Sequence, residues 1–211
     1  MIQKIYKKIF ISGVTFSVFK TLWVRIFVLK NVKTNLFIGK RTLFIRDRFS
    51  KVFINGSLHI DAKNNGQFWF YSSIRLLTGA SLNINGTVNF FSGLQLKLFD
   101  KAHLSIGNGT YFSGPVVIHS KENVTIGENC SISWYCTIID SNFHEIDLGS
   151  GIITKEVIIG NNVWIGNNVT ILPGTIIEDN VIIGAQSLVK GHFLEGGIYA
   201  GNPAKLIRQR T

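Results

Sequence analysis

The chain has 211 residues, enough for one domain with a sizeable core, and no Ser/Gly/Pro-rich linker divides it. Its composition, rich in Gly, Asn, Ile and Val and poor in Ala, argues against a helical bundle and for short strands joined by tight turns. The net charge of +10 sits at one end: residues 1–51 hold twelve Lys/Arg against the single acid Asp47, while residues 52–211 hold ten Lys/Arg and eleven Asp/Glu, so the body is not a nucleic-acid-binding surface.

The first element is that basic arm, residues 1–51 including its lead-in. Ile2, Ile5, Tyr6, Ile9, Phe16, Phe19, Trp23 and Ile26 fall close to one helical face, with Lys4, Lys7, Lys8, Lys20 and Arg25 largely elsewhere. Gly13 and the β-branched residues divide this into two short helices. Such an arm either lies on an anionic membrane or caps the domain behind it, and its aromatic content favours lipid over nucleic acid. The run Ile9–Phe19 after Lys7 and Lys8 imitates a secretory leader, but no small-residue cleavage site follows and the run is too short to span a bilayer. A cytoplasmic protein, peripheral on the inner membrane face, is expected. The two cysteines, Cys130 and Cys136, make no disulfide framework.

From about residue 52 to 200 the chain repeats. Ile84, Phe90 and Leu96, then Ile106, Phe112 and Ile118, then Ile126, Ile132 and Ile138 recur at six-residue spacing with slips near Lys101 and Glu122, and the register blurs before about Ile54. From Ile159 the spacing is strict: Ile159, Ile165, Ile171, Ile177, Ile183 and Val189. A small or β-branched residue follows four places on (Val163, Val169, Thr175, Val181, Ser187), with turn residues such as Gly160-Asn161-Asn162 between. A helix of 3.6 residues per turn cannot hold a six-residue repeat on one face; three short strands per lap, stacked lap on lap, can. Cys130 and Cys136 take the small corner positions of one lap, which makes them buried and unlikely to meet.

One long excursion, residues 139–156, interrupts the repeat. It contains His144 with Asp140 before it and Glu145 after it. Long loops in an economical solenoid are often functional. A neutral imidazole has a suitable pKa to take a proton from an attacking hydroxyl, which makes His144 the candidate general base. Asp140, Glu145 or a backbone carbonyl could fix its tautomer, and the sequence does not choose. His59 and His119 fall at outward positions, His103 in a turn and His192 after the last hexad, all reading as solvated. The scattered histidines form no metal set, and no phosphate-binding glycine loop is present. Trp69, Tyr71, Phe91 and Tyr111 project outward and could stack on sugars.

The hexads, together with Val124–Asn129, Asn162–Gly166, Leu172-Pro173-Gly174, Ile183-Gly184-Ala185 and the ending Ala200–Arg208, resemble the bacterial hexapeptide-repeat acyltransferases, and most of all their sugar and capsular polysaccharide O-acetyltransferases. The resemblance covers residues 104–211. It implies an all-β, left-handed parallel β-helix, a homotrimer, and acetyl-CoA as co-substrate without a metal. It places the catalytic histidine in the loop that carries His144, and the backbone N–H that stabilises the oxyanion at Asn167. Trp164 would wall the reacting groups, and Ser113 would touch the acceptor, on whose side Asp140 and Glu145 also fall. Pantetheine would run past Gly184-Ala185 toward phosphate contacts at Lys205 and Arg208. Lys190 stands one position from the family's usual lysine, which puts its phosphate contact in question. The expected activity is transfer of acetyl to a sugar hydroxyl of a surface polysaccharide or its lipid-linked precursor. An N-acyltransferase on an amino sugar, or a non-catalytic β-helix scaffold, are the rival readings; residues 201–211 read as a tail.

Overall fold

The computed structural model describes residues 17–29, 35–61, 70–145, 149 and 151–210. Most of the arm's proposed first helix, Trp69 and the far part of the excursion lie outside them.

The described chain is a left-handed parallel β-helix of three faces. The first face stacks the strands Ser81–Phe90 (its first half), His103–Ile106, Asn123–Ile126, Val157–Ile159, Ile176–Ile177 and His192–Phe193. The second stacks Tyr111–Phe112, Ser131–Ile132, Trp164–Ile165 and Ile182–Ile183. The third is the seven-stranded sheet from Thr42–Arg46 to Leu188–Val189. Corner I joins the first and second faces, corner II the second and third, and corner III the third and the next lap's first.

The six-residue spacing becomes three inward columns. Ile84, Ile106, Ile126, Ile159 and Ile177 pair successively on the first face. Phe90, Phe112, Ile132, Ile165 and Ile183 do so on the second, and Leu96, Ile118, Ile138, Ile171 and Val189 on the third. All are buried, as are the small corner residues. No lap encloses its own core, so the columns are stabilised only by stacking. Cys130 and Cys136 are buried at successive corners, their thiols donating to the carbonyls of Gly160 and Gly166 in the next lap.

Turn polarity also stacks. At corner I, Asn129, Asn162 and Asn180 adopt positive φ, a conformation Asn tolerates because its side chain bonds locally. There Asn161 Oδ1 accepts from the N–H of Glu128 (2.8 Å), and Asp179 accepts from the N–H of Asn161 (2.7 Å). Past the excursion the lap is eighteen residues long, against twenty to thirty upstream of it.

The coil starts earlier than the boundary at residue 52. Leu36–Ile38 pairs in parallel with Leu58–Ile60, and Thr42–Arg46 with Ser72–Leu76. The hexad register is blurred there because Lys51–Ile60 and Ser81–Phe90 run unbroken through corner I instead of stopping at Asn-containing turns. Gly56 and Gly86 make that bend at positive φ and stack so closely that a Cβ on Gly56 would overlap the Gly86 backbone.

The helix Val18–Trp23, N-capped by Ser17 and continued as a π-turn over Val24–Val28, closes the first lap. Thr21 Oγ1 accepts from the N–H of Ile38 (3.0 Å), Arg25 donates twice to the Leu36 carbonyl (3.1 and 2.7 Å), and Val24 is buried. The described part of the arm is therefore a cap, yet its outer face leaves Phe19 89% exposed, with Trp23 and Phe27 beside it. Among the described residues no helix is long and apolar enough to cross a membrane. At the other end the tail is ordered as an edge hairpin, Ala204–Gln209 pairing antiparallel with Gly197–Gly201.

Candidate active site

The excursion leaves the coil at corner III. Asp140 ends the strand Cys136–Ile139 and is fully buried. Its carboxylate accepts from Ser120 Oγ (2.6 Å) and from the N–H groups of Lys121 (2.7 Å) and Glu122 (2.8 Å) in the preceding lap's turn. The sequence reading put Asp140 on the acceptor side. The structure instead spends both its oxygens on the donors of that turn, and Asp140 becomes the root of the loop.

Beyond it, Ser141–Glu145 pairs antiparallel with Ile152–Thr154. Asn142 Oδ1 accepts from the N–H of Ile153 (2.9 Å), Thr154 bonds Ser141 (3.0 Å), and the N–H of Lys155 returns to the Asp140 carbonyl (2.8 Å). A local irregularity places Phe143 at φ 60°. Its ring turns back onto Phe99 (5.1 Å between centroids) and against the edge of His119 (6.2 Å), with Lys121 Nζ 5.7 Å away. His144 and Glu145 are exposed at the end of this strand.

A second group forms at the second face and corner II. Trp164 is 54% exposed, and its column continues through Ile182 and Ile198 to Arg208 on the tail hairpin. Lys205 pairs with Ala200, whose Cβ lies beside Gly184. Ser113, Asn167, Gly184 and Ala185 follow second-face strands at this corner. The backbone N–H of Asn167 has no acceptor among the described residues, while its carbonyl accepts from Gln186. Trp164, Asn167, Gly184, Ala185, Lys205 and Arg208 thus lie along the second face, its corner II and the tail hairpin that continues it. Lys190 is not: it follows Val189 into corner III.

Within one chain His144 and Asn167 stand at opposite ends of the third face. That face is crossed by Cys136–Ile139 and Thr170–Ile171 in register, so the two are separated by about 20 Å at roughly 3.3 Å per strand residue.

The other histidines lie apart. His192 meets Glu178 (2.7 Å), His103 meets Ser81 (2.5 Å) and His59 stacks on Phe37. His119 is half-buried beside the hairpin, and burial, reinforced by Lys97, lowers its pKa. The sequence reading missed this neighbourhood of Phe143, Phe99 and His119; the signal was the 22-residue lap, which puts residues 97 and 119 in one row. Tyr71 and Tyr111 are exposed, and Phe91 leans against Tyr111. No group of His, Cys, Asp and Glu that could hold a metal occurs among the described residues.

Comparison with known proteins agrees with this fold. Residues 156–191 match the family described as "Bacterial transferase hexapeptide (six repeats)". The chain is 37% identical to the provisionally named lipopolysaccharide biosynthesis O-acetyl transferase WbbJ of Escherichia coli (strain K12), over 60% of this chain and 72% of that protein. It is 34% identical to the galactoside O-acetyltransferase of the same organism, over 51% of this chain and 55% of the relative. An N-acyltransferase from Bacillus cereus, solved with dTDP and coenzyme A, shares the fold at a TM-score of 0.52 and 18% identity, over 84% of this chain and 82% of that one. The chain belongs to the bacterial hexapeptide-repeat transferase family and is an acetyltransferase.

Proposed function

We propose that this acetyltransferase moves the acetyl group of acetyl-CoA directly to a sugar hydroxyl of a surface polysaccharide or its lipid-linked precursor, with His144 as general base. The observation that carries the reading is the hairpin at corner III, rooted by Asp140 and presenting an exposed imidazole. The names of the two Escherichia coli relatives support oxygen as the acceptor atom. In the bound complex the His144 imidazole takes the acceptor proton as the hydroxyl oxygen attacks the thioester carbon. The Asn167 N–H receives the oxyanion. When the C–S bond breaks, the imidazolium returns its proton to the departing CoA sulfur. Trp164 walls the acetyl group, Gly184 and Ala185 line the pantetheine path, and Lys205 and Arg208 meet the phosphates, with Lys190 reaching them only from another chain's corner III. Glu145 and Ser113 remain the polar groups on the acceptor side.

Because the two halves of this site lie at opposite corners of one chain, it is completed when corner III of one copy meets corner II of the next. A cyclic homotrimer does this three times over. The outer face of the helix Val18–Trp23, with Phe19, Trp23 and Lys20, would lie against the anionic inner membrane surface and hold the site near a lipid-linked glycan. Co-sedimentation of the full chain with anionic but not neutral vesicles checks that placement.

The deciding experiment is mass spectrometry of surface polysaccharide from cells with the wild-type gene, with the His144→Ala gene and without it. One acetyl group present only with the wild-type gene is expected. Identical masses in all three would overturn the reading.

A further inference from the structure

The outward row of the third face carries a feature that the reaction above leaves unused. Arg75, Lys97 and His119 occupy the same register position on three successive laps, so their side chains leave neighbouring strands about 4.8 Å apart. Ser73 and Gln95 form the adjoining row, joined by a 2.7 Å hydrogen bond. With Leu96 these residues line an open cleft of about 230 Å³. Like charges directly opposite one another disfavour a sheet. Here no carboxylate forms an ion pair with any of the three among the described residues. Lys97 instead rests on the ring of Phe99, 4.2 Å from its centroid, and burial together with Lys97 holds His119 toward its neutral form. The row is therefore an unneutralised cationic surface with a neutral hydrogen-bonding imidazole at one end.

Its position gives this charge a use. Phe143 packs on Phe99 and His119, which ties the mouth of the cleft to the hairpin one residue before His144. The row lies on laps that precede the hairpin, whereas Lys205 and Arg208 lie on the tail hairpin at the far end of the coil. An anion seated on the row thus approaches His144 from the side opposite the donor phosphates. We propose that Arg75, Lys97 and His119 form an anion subsite that recognises a carboxylate or phosphate group carried by the acceptor sugar. The inference rests on the sugar O-acetyltransferase reading and sharpens it: the acceptor is a charged glycan, a uronic-type sugar acid or a sugar phosphate. The cleft is large enough for the anionic group and part of one ring, which suits a specificity subsite better than a whole ligand pocket.

The test is saturation-transfer NMR on the full-length protein with CoA present, using glucose, glucuronic acid and glucose 1-phosphate as probes. At 50 mM salt at least one anionic probe should bind about tenfold or more tightly than glucose, and this preference should shrink severalfold at 500 mM salt. Whichever anion is preferred identifies the source of the charge. The Arg75→Gln/Lys97→Gln double variant changes only outward side chains. It should lose the preference while keeping its affinity for CoA and its thermal midpoint. Equal binding of all three probes to the wild type would overturn the proposal, as would a preference that survives in the variant. A parallel loss of CoA affinity would assign the row to the donor instead and also overturn it. A protein that shows the predicted preference but leaves surface polysaccharide unacetylated would refute the transfer reading while leaving the anion subsite intact.

Discussion

The laps on either side of the hairpin are built differently. After it, from Val157 to Val189, each lap takes eighteen residues, each strand two or three, and corner I is turned by Asn and Asp whose side chains bond from lap to lap. Before it the laps are longer, two strands run ten residues through corner I on stacked glycines, and Phe90 and Phe112 stack inside the core at 4.1 Å. The narrow, regular end carries the donor groups proposed above, with their backbone N–H and tail cations. The wider, irregular end carries the cleft and the cap. On the proposed reading, the difference teaches that a solenoid can hold one half of its reaction on uniform backbone and still vary the other half by side chains and lap length, with the proposed catalytic loop inserted where the two meet.

The largest expected effect lies at that junction. His144→Ala should leave the fold intact and lower the turnover by about 10² to 10⁴, the usual weight of a general base. Steady-state rates at saturating acetyl-CoA and acceptor check this, and a loss below threefold would remove His144 from the chemistry. Next comes the regular core. Ile171→Ala removes a fully buried side chain from a column held only by its neighbours, and should cost roughly 2–5 kcal/mol in denaturant unfolding. At the tail, Lys205→Glu or Arg208→Glu should raise the KM for acetyl-CoA roughly tenfold through lost charge-assisted contacts, with the acceptor constant little changed.

The smallest effect belongs to the irregular end. Burial raises the Asp61 carboxyl to about 6, with Arg41 and Lys20 offsetting part of the rise. A carboxyl whose folded pKa exceeds its unfolded value binds its proton more tightly when folded, so its contribution is most favourable below about pH 4 and is lost as pH rises through about 6. Asp61→Asn should flatten that slope between pH 4 and 6 and leave the variant the more stable protein at pH 7, measured by thermal unfolding across pH.

The regular end was legible because its hexads, corner residues and turn asparagines obey one period from Ile159 to Val189, and the structure keeps every one of those inward positions buried. Cys130 and Cys136 were read correctly as buried corner residues for the same reason. The start of the coil at Leu36 was hidden, since strands that bend on Gly56 and Gly86 leave no break for the pattern to register. Asp140 looked like a partner for His144 because sequence shows adjacency along the chain and not the turn one lap below that captures its carboxylate. The row of Arg75, Lys97 and His119 was invisible until the 22-residue register aligned them.

On the proposed reading, one active site draws its hairpin from one copy and its second-face residues from another. Mixing chains tests it most directly. His144→Ala and Trp164→Ala proteins, each nearly inactive alone, are co-expressed in equal amounts, purified as mixed oligomers and assayed for acetyl transfer. Random assembly of a ring places an intact hairpin against an intact corner II in about a quarter of the sites, so about a quarter of wild-type activity should return. Activity no greater than the sum of the two parents would contradict the account and return the site to a single chain.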